Sequence, residues 1–195
     1  MKTWVKVITS VLIVIAVGGG LGYGSSYKIG RAIYDAEAVH NGPWTTNLIQ
    51  GSTAQDIYTR YVISIWAVMA LPRQETLYYG TYRTDSGEQL LTEYDYVIEG
   101  KNLDTRWWSI TVYDDEGWLF PNELNRYSYN VDTVKFDTDG KYRIHLSRTP
   151  KEGNWLPLGN STTFQLLLRC YNPGPIFYEK PGEVELPHVM KEAGK

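Results

Sequence analysis

The sequence predicts a mainly β protein: an antiparallel sandwich or barrel that follows one amphipathic helix and an N-terminal transmembrane helix. Residues 7–27 contain no charged side chain, which is typical of a membrane span or a signal peptide. Residues 52–71 repeat apolar side chains at helical spacing and stop before Pro72. From Glu75 onward, short alternating segments are separated by turns about every ten residues. No further helical pattern interrupts them, which argues against βαβ units.

The composition argues against a nucleic-acid partner. The formal net charge is -3, whereas nucleic-acid-binding proteins usually carry a basic stripe. The 16 Tyr and 7 Trp, against 4 Phe, give many large side chains a polar group, which suits β-sheets and half-wet surfaces. The single cysteine, Cys170, excludes an intramolecular disulfide, and its alternating apolar neighbours predict a buried, inert thiol.

The uncharged N-terminal stretch predicts a single membrane anchor over residues 1–27, with a cleavable signal peptide as the alternative. Residues 7–27 form a helix of about 30 Å, the thickness of the hydrocarbon layer. The anchor is favoured because the uncharged run continues past its short apolar core and no A-x-A cleavage motif follows. Lys2 and Lys6 favour a cytoplasmic N-terminus, although Lys28 weakens this bias.

Glycines within the anchor suggest a further hypothesis. The pairs Gly18/Gly22 and Gly20/Gly24 have the G-x-x-x-G spacing that lets helix backbones approach closely in lipid. Self-association through these pairs is therefore one hypothesis, and a loosely helical exit from the membrane is the alternative. A dinucleotide-binding G-x-G-x-x-G loop is excluded, because its last position is Ser25 and no strand precedes it.

Residues 28–51 are predicted to form a juxtamembrane connector that leads into the amphipathic helix 52–71. Ser52 is the predicted N-cap, with Gln55 as its capping-box partner. The apolar stripe of this helix is broad, so it must be covered by the domain or by lipid. Its length is below that of a membrane span, so no second span is expected.

The predicted domain spans residues 52–180, and its strands are read from alternation. Trp108, Ile110 and Val112 are expected to face the core, with Trp107 and Ser109 on the other side of the same strand. The strands are predicted at 76–82, 94–98, 106–114, 118–120, 126–130, 134–136, 142–147 and 163–171.

Two segments outside these strands carry their own predictions. The stretch "GNWLPLGN", residues 153–160, is predicted to plug one end of the core with Trp155 buried; a binding loop with an exposed tryptophan is the alternative. The tail, residues 181–195, is rich in proline and charge and is expected to lie over the domain before it frays.

No motif predicts a catalytic centre, a metal site or a cofactor. His40, His145 and His188 are far apart, and no zinc-binding spacing connects them. The stretch "DTDG" at Asp137–Gly140 matches the start of a calcium loop, but Leu146 occupies the position of the bidentate glutamate, so a hairpin turn is predicted. No G-x-S-x-G nucleophile motif occurs. A non-enzymatic protein is favoured.

One polar cluster is a candidate ligand site. Asparagine and arginine at a strand entrance fix turns through backbone hydrogen bonds, and they equally suit a pocket for a sugar, carboxylate or lipid headgroup. The structural role is favoured. Arg169 is predicted to pair with a carboxylate such as Glu93 or Asp114, or to join the same pocket. The cluster comprises Asn122, Asn125, Arg126, Asn154, Trp155 and Arg169.

The motifs W-S-I-T-V-Y, N-x-x-N-R-Y-S, N-W-L-P and L-R-x-Y-N-P occur in this order between Trp108 and Pro173. With them, residues 41–178 resemble the bacterial family called domain of unknown function 1214 and, within it, a shorter, membrane-anchored branch. The resemblance implies a jelly-roll-like β-sandwich. It also implies that longer relatives carry this domain as the C-terminal half of a two-domain protein. It implies no activity, catalytic residue or cofactor.

Three functions remain as hypotheses. The first is an envelope protein anchored in the bacterial inner membrane, with its domain in the periplasm as an interaction or assembly module for an unidentified protein or glycan; secretion to the periplasm after signal cleavage is the alternative. The second is a module that binds a glycan or lipid headgroup through Trp107, Trp118 and Trp155. The third is a hydrolase with an unrecognised site, such as facing carboxylates or a contact between Ser109 and His145.

Overall fold

The computed structural model describes residues 3–65 and 71–192, and these fall into two compact units. The helical unit comprises Met1–Glu37 and Ile49–Ala70. The two-sheet unit comprises Ala38–Leu48 and Leu71–Lys195.

Helix α1, Thr3–Ala36, is 34 residues long and extends well past the predicted anchor. At about 1.5 Å per residue it measures about 50 Å, more than a bilayer core requires. It is long and apolar enough to cross a membrane, and none of its most apolar window is buried. The first part of the predicted connector, Lys28–Ala36, is therefore helical.

Helix α2, Ile57–Ile65, begins later than the sequence predicts. The Asp56 carboxylate accepts hydrogen bonds from the backbone N–H groups of Tyr58 (2.8 Å) and Thr59 (3.1 Å), so Asp56 caps the helix. The predicted cap, Ser52, accepts a bond from Ala54 N in the preceding turn instead. Hydrogen bonds from Thr59 hold the pKa of Asp56 below its usual value. The predicted helix residues 66–70 lie outside the described residues.

The first sheet of the two-sheet unit has six strands, and two of them arise from the predicted connector. These two, β1 and β2, pair antiparallel around a turn at Gly42, whose positive φ of 58° suits glycine. The order across the sheet is β1 (Ala38–Asn41), β2 (Trp44–Asn47), β3 (Thr76–Thr81), β9 (Phe164–Pro173), β5 (Thr105–Asp114) and β6 (Ser128–Asn130).

The second sheet has four strands, and two of them lie in segments where the sequence predicted no strand. The stretch 153–160 holds a short strand that pairs parallel with its neighbour, whereas every other described pairing is antiparallel. The tail is ordered through Lys191, because its strand pairs antiparallel with the sheet edge. The order is β10 (His188–Lys191), β4 (Tyr96–Lys101), β7 (Lys141–Ser147) and β8 (Asn154–Pro157). A short helix, α3 (Ile176–Glu179), precedes β10.

Two of the shorter predicted strands are wrong. Residues 118–120 form no strand. Within 134–136, Phe136 makes one isolated bridge to Tyr142. Both segments are too short to form a ladder of their own.

One core joins the two sheets, which pack face to face. Trp108 of β5 stacks on Tyr142 of β7 with ring centroids 4.9 Å apart, and Tyr96 of β4 meets Phe164 of β9 edge-on at 5.5 Å. Cys170 is completely buried, and burial raises the pKa of its thiol. The predictions of a mainly β fold and of a buried cysteine are confirmed.

Candidate functional site

Asn122 closes the loop that precedes β6. Its side-chain amide donates to the carbonyl oxygens of Phe120 and Arg126, each at 3.0 Å. Its Oδ1 accepts from the backbone N–H of Arg126, also at 3.0 Å. The side chain therefore takes the place of backbone partners that an irregular loop lacks.

Asn125 and Arg126 continue this loop towards the second sheet. Asn125 has a φ of 49°, a left-handed conformation that asparagine tolerates better than most residues. Arg126 Nη1 donates to the carbonyl oxygen of Trp155 at 3.2 Å, and its guanidinium lies 5.9 Å from the Tyr129 ring centroid. Arg126 thus ties the loop of one sheet to β8 of the other.

Asn154 connects three segments from a buried position. Its Oδ1 accepts from Lys135 N at 2.8 Å, and its Nδ2 donates to the carbonyl oxygens of Lys135 and Arg143, each at 2.9 Å. Only 5% of the residue is exposed. The amide therefore ties the start of β8 to the backbone of Lys135 and of Arg143 on β7.

Trp155 is buried, with 8% of its surface exposed, so its predicted burial is confirmed, while Leu156 beside it belongs to the core. The indole Nε1 donates to the carbonyl and hydroxyl oxygens of Ser147 at 3.2 and 3.0 Å. Its backbone N–H donates to the Tyr129 hydroxyl at 3.1 Å.

The structure brings together the polar residues of this cluster except Arg169. The recess beside them leaves no room for a water molecule. Its lining residues are Val112, Phe120, Arg126, Tyr127, Leu156 and Pro157.

Arg169 lies on the outer face of the six-stranded sheet, away from the core side that Tyr129 occupies. Its strand neighbours there are Tyr78 on β3 and Ser109 on β5. The guanidinium donates to Thr111 Oγ1 at 2.8 Å and to the Tyr113 hydroxyl. In the described part of the chain no carboxylate pairs with it, so the predicted pairing with Glu93 or Asp114 is wrong.

Aromatic side chains surround Arg169 on this face. Trp107 and Tyr171 meet edge-on with centroids 5.5 Å apart, and both are half-buried. Partial burial is the main cause that raises the pKa of Tyr78, and the positive charge of Arg169 opposes it. We call Tyr78, Trp107, Tyr113, Arg169 and Tyr171 the Arg169 face.

The other candidate residues do not form a common site. Trp118 is 69% exposed in a turn, whereas Trp155 is buried, so the three predicted platform tryptophans make no continuous surface. Ser109 and His145 lie on the outer faces of different sheets. Among the described residues, no group of three or more His, Cys, Asp or Glu is arranged to hold a metal ion.

The comparisons with known proteins address family and fold. Residues 75–175, more than half of the chain, match the family described as "Protein of unknown function (DUF1214)". The chain belongs to the DUF1214 family. The matched DUF1214 region begins before β3 and ends after β9, so β1, β2 and β10 lie outside it.

Two solved structures are similar to this DUF1214 protein. The VPA0106 protein from Vibrio parahaemolyticus is 26% identical with a TM-score of 0.59, over 69% of this chain and 35% of that one. An uncharacterized protein from Burkholderia cenocepacia is 14% identical with a TM-score of 0.44, over 92% of this chain and 42% of that one. The chain thus spans about a third of the Vibrio protein. No curated protein matches it.

The candidate polar cluster was named from the sequence, whereas the Arg169 face was not. Trp107 and Ser109 were predicted to share one side of their strand, and they do, together with Tyr113. Adjacency to Tyr78 and Arg169 depends on which strands pair. The order β3-β9-β5 joins segments far apart in the chain, so no local signal reveals it.

Proposed function

We propose that this protein is a non-enzymatic interaction or assembly module of the bacterial cell envelope, held at the inner membrane by α1. The observation that carries the proposal is the exposure of the apolar part of α1. Leu12, Val14 and Leu21 are 61%, 70% and 70% exposed, respectively. Such a surface needs an apolar environment, and the uncharged residues 7–27 of α1 match the thickness of a bilayer core.

The proposed orientation places the N-terminus in the cytoplasm and the two-sheet unit in the periplasm. Lys2 and Lys6 before the uncharged run support it. The alternative is export followed by cleavage, which would leave the domain free in the periplasm.

Fractionation with protease protection tests anchor and orientation together. We expect full-length protein in the membrane pellet after alkaline extraction, and digestion of the domain once the outer membrane is permeabilised. A soluble domain that lacks about the first 25 residues would instead identify a signal peptide. Digestion that requires opening of the inner membrane would reverse the orientation.

Self-association through α1 remains a prediction. An ideal Cβ at Gly18, Gly20, Gly22 or Gly24 would meet nothing within 4 Å apart from the neighbouring backbone of its own helix, so these positions are open to a second helix. If they form the contact, Gly18→Leu with Gly22→Leu shifts a cross-linked dimer to monomer in detergent, and Leu12→Ala does not.

A second candidate function is binding of an acidic glycan on the Arg169 face. The Arg169 guanidinium has hydroxyl partners and, in the part of the chain that the structure describes, no paired carboxylate, so its positive charge can pair with an anionic ligand. The aromatic rings around it suit the apolar faces of a sugar. A carboxylated lipid headgroup would use the same contacts. The jelly-roll-like topology and a ligand role for Asn122, Asn125, Arg126, Asn154 and Trp155 also remain predictions, although the bonds of these residues to backbone groups favour a structural role.

Calorimetric titration with galacturonate and galactose trisaccharides tests this second function. We expect binding of the acidic sugar only, and a loss of tenfold to a hundredfold in affinity on Arg169→Gln, about 1.5–3 kcal/mol for a charged hydrogen bond. Arg106→Gln, at an exposed position on the same strand as Trp107, is the control. Equal binding by wild type and Arg169→Gln would remove the Arg169 face from consideration.

A further inference from the structure

Helix α2 is held against α1 by one of its faces. Thr59, Val62 and Ile63 are buried. A Cβ atom at Gly30 of α1 would lie 2.6 Å from Val62 Cγ2 and 2.7 Å from the Tyr58 carbonyl oxygen. Only glycine permits this approach, so the position of α2 along α1 is fixed by close packing.

The opposite face of α2 is apolar and uncovered in the described structure. Ile57 is 76% exposed, Ile65 47% and Tyr58 38%, and Tyr61 is half-buried. At about 100° per residue these four side chains share an arc of about 100°, while Arg60 lies outside it. We call Ile57, Tyr58, Tyr61 and Ile65 the α2 outer face.

This face continues directly onto the end of the uncharged stretch of α1. Tyr23 and Ser26 of α1 line one groove of about 400 Å³ together with Ile57, Tyr58 and Tyr61 of α2. Residues 7–27 match the hydrocarbon thickness of a bilayer, and the first charge after them is Lys28. The groove therefore begins where the helix leaves the hydrocarbon layer.

The side chains at this level suit the membrane–water boundary. Tyr23 and Tyr27 of α1 are 74% and 42% exposed, and the α2 outer face adds two more tyrosines. Tyrosine is enriched at the headgroup level, because its ring is apolar and its hydroxyl forms hydrogen bonds. Isoleucine on the same arc reaches the upper acyl chains, as in interfacial amphipathic helices.

We propose that the α2 outer face lies in the headgroup layer of the membrane that α1 spans, so that α2 is an interfacial helix docked beside the anchor. The proposal rests on the proposed anchoring by α1 and specifies the second contact with lipid. It assigns the exposed apolar surface to a lipid bilayer, whose boundary the geometry of α1 places at the groove.

Spin-label accessibility in nanodiscs tests the proposal on the full-length chain. The discs contain phosphatidylethanolamine and phosphatidylglycerol in a 3:1 ratio. Single labels are placed by Ile57→Cys, Tyr61→Cys, Arg60→Cys and Val14→Cys in a Cys170→Ala background. Oxygen reports contact with lipid, and a water-soluble nickel chelate reports contact with solvent. We expect the labels at 57 and 61 to lie at the depth of the lipid headgroups and the label at 14 to lie among the acyl chains. The label at 60 should be accessible to the nickel chelate, because it lies on the polar side of α2.

The outcomes separate this proposal from the anchor itself. A lipid-embedded label at 14 with nickel-accessible labels at 57 and 61 would overturn the interfacial helix and leave the anchor intact. Labels at 57 and 61 that neither reagent reaches would also overturn it, because protein, from this chain or a second copy, would then cover the face. Nickel access at 14 as well would overturn the anchor.

Discussion

The helical unit and the two-sheet unit place the same kinds of side chains in opposite environments. In α1, Leu12 and Val14 are mostly exposed, whereas Ile98, Ile110 and Ile144 of the strands are completely buried. Burial of one such side chain is worth about 1.5–3 kcal/mol. The strands alternate apolar and polar residues and so have an inner face, while residues 11–17 of α1 are apolar on all sides. One unit therefore gains this energy within the protein, and the proposed membrane environment would supply it to the other.

Positive charges introduced into the proposed anchor should have the largest effect of the changes considered, and it should be on membrane insertion. Leu12→Arg combined with Val14→Arg places two cations at the centre of the span, at a total cost of about 5–7 kcal/mol for insertion. We expect the protein to leave the alkaline-resistant membrane pellet. Trp118→Arg, in an exposed turn of the two-sheet unit, should leave it there. Retention of the double variant in the pellet would contradict an anchor at these residues.

Truncation of the buried Trp155 side chain should have the next largest effect, on the stability of the two-sheet unit. Trp155→Ala leaves a cavity and removes the hydrogen bonds of the indole to Ser147, so we expect a loss of about 3–5 kcal/mol in the free energy of unfolding. Denaturant unfolding of full-length protein in detergent, followed by circular dichroism, measures it. Trp118→Ala should change this value by less than about 0.5 kcal/mol. Similar losses in the two variants would mean that Trp155 is not a core residue.

A smaller effect is expected at the buried amide. Asn154→Ala removes the three hydrogen bonds that the amide makes with backbone groups of Lys135 and Arg143, which should cost about 1–3 kcal/mol. The same unfolding measurement applies, with exposed Asn160→Ala as the matched control. If both changes are neutral, water must satisfy these groups in place of the amide.

The smallest expected effect depends on pH. Lys141 and Arg143 hold the pKa of Glu99 below its usual value, chiefly through the hydrogen bond from Lys141. The folded state therefore binds this proton more weakly than the unfolded chain. The stabilisation of the folded state by the ionised Glu99 carboxylate is complete above the unfolded pKa of about 4.3. It is lost as the pH falls through the lower folded pKa.

Glu99→Gln should therefore reduce stability at pH 7 by about 1 kcal/mol or less and flatten the loss of stability between about pH 5 and pH 3. Unfolding curves across this range measure both changes. Glu116→Gln, in an exposed turn, is the control. If the loss of stability below pH 5 is the same in Glu99→Gln as in the wild type, other carboxylates cause it.

Local patterns predicted the parts of the fold that depend on local chemistry. The long strands and the inward direction of Trp108 follow from period-two alternation, and the burial of Trp155 follows from its place between two strands. Ser52 was mistaken for the cap because several capping residues precede α2, and only the backbone decides which carboxylate or hydroxyl reaches the first N–H groups.

The candidate site was less predictable than the fold. Asn122, Asn125 and Arg126 lie in one loop, and Arg126 reaches Trp155 in β8 next to Asn154, while a ligand role for these residues stays a prediction. Arg169 was grouped with them, yet it lies on the outside of the sheet with hydroxyl partners. Its neighbours come from strands that are distant in the chain, so alternation gives its side of the strand but not its contacts.

The sequence by itself determined the long apolar N-terminal helix, the β character of the domain and the residues that fill its core. These properties depend on charge and polarity within a few successive residues, which any conformation of the chain preserves. Only the tertiary structure decided that the connector supplies β1 and β2, that the tail supplies β10, and that β8 pairs in parallel. Backbone groups at a sheet edge accept any strand of suitable shape, so the partner is selected by the packing of the whole domain.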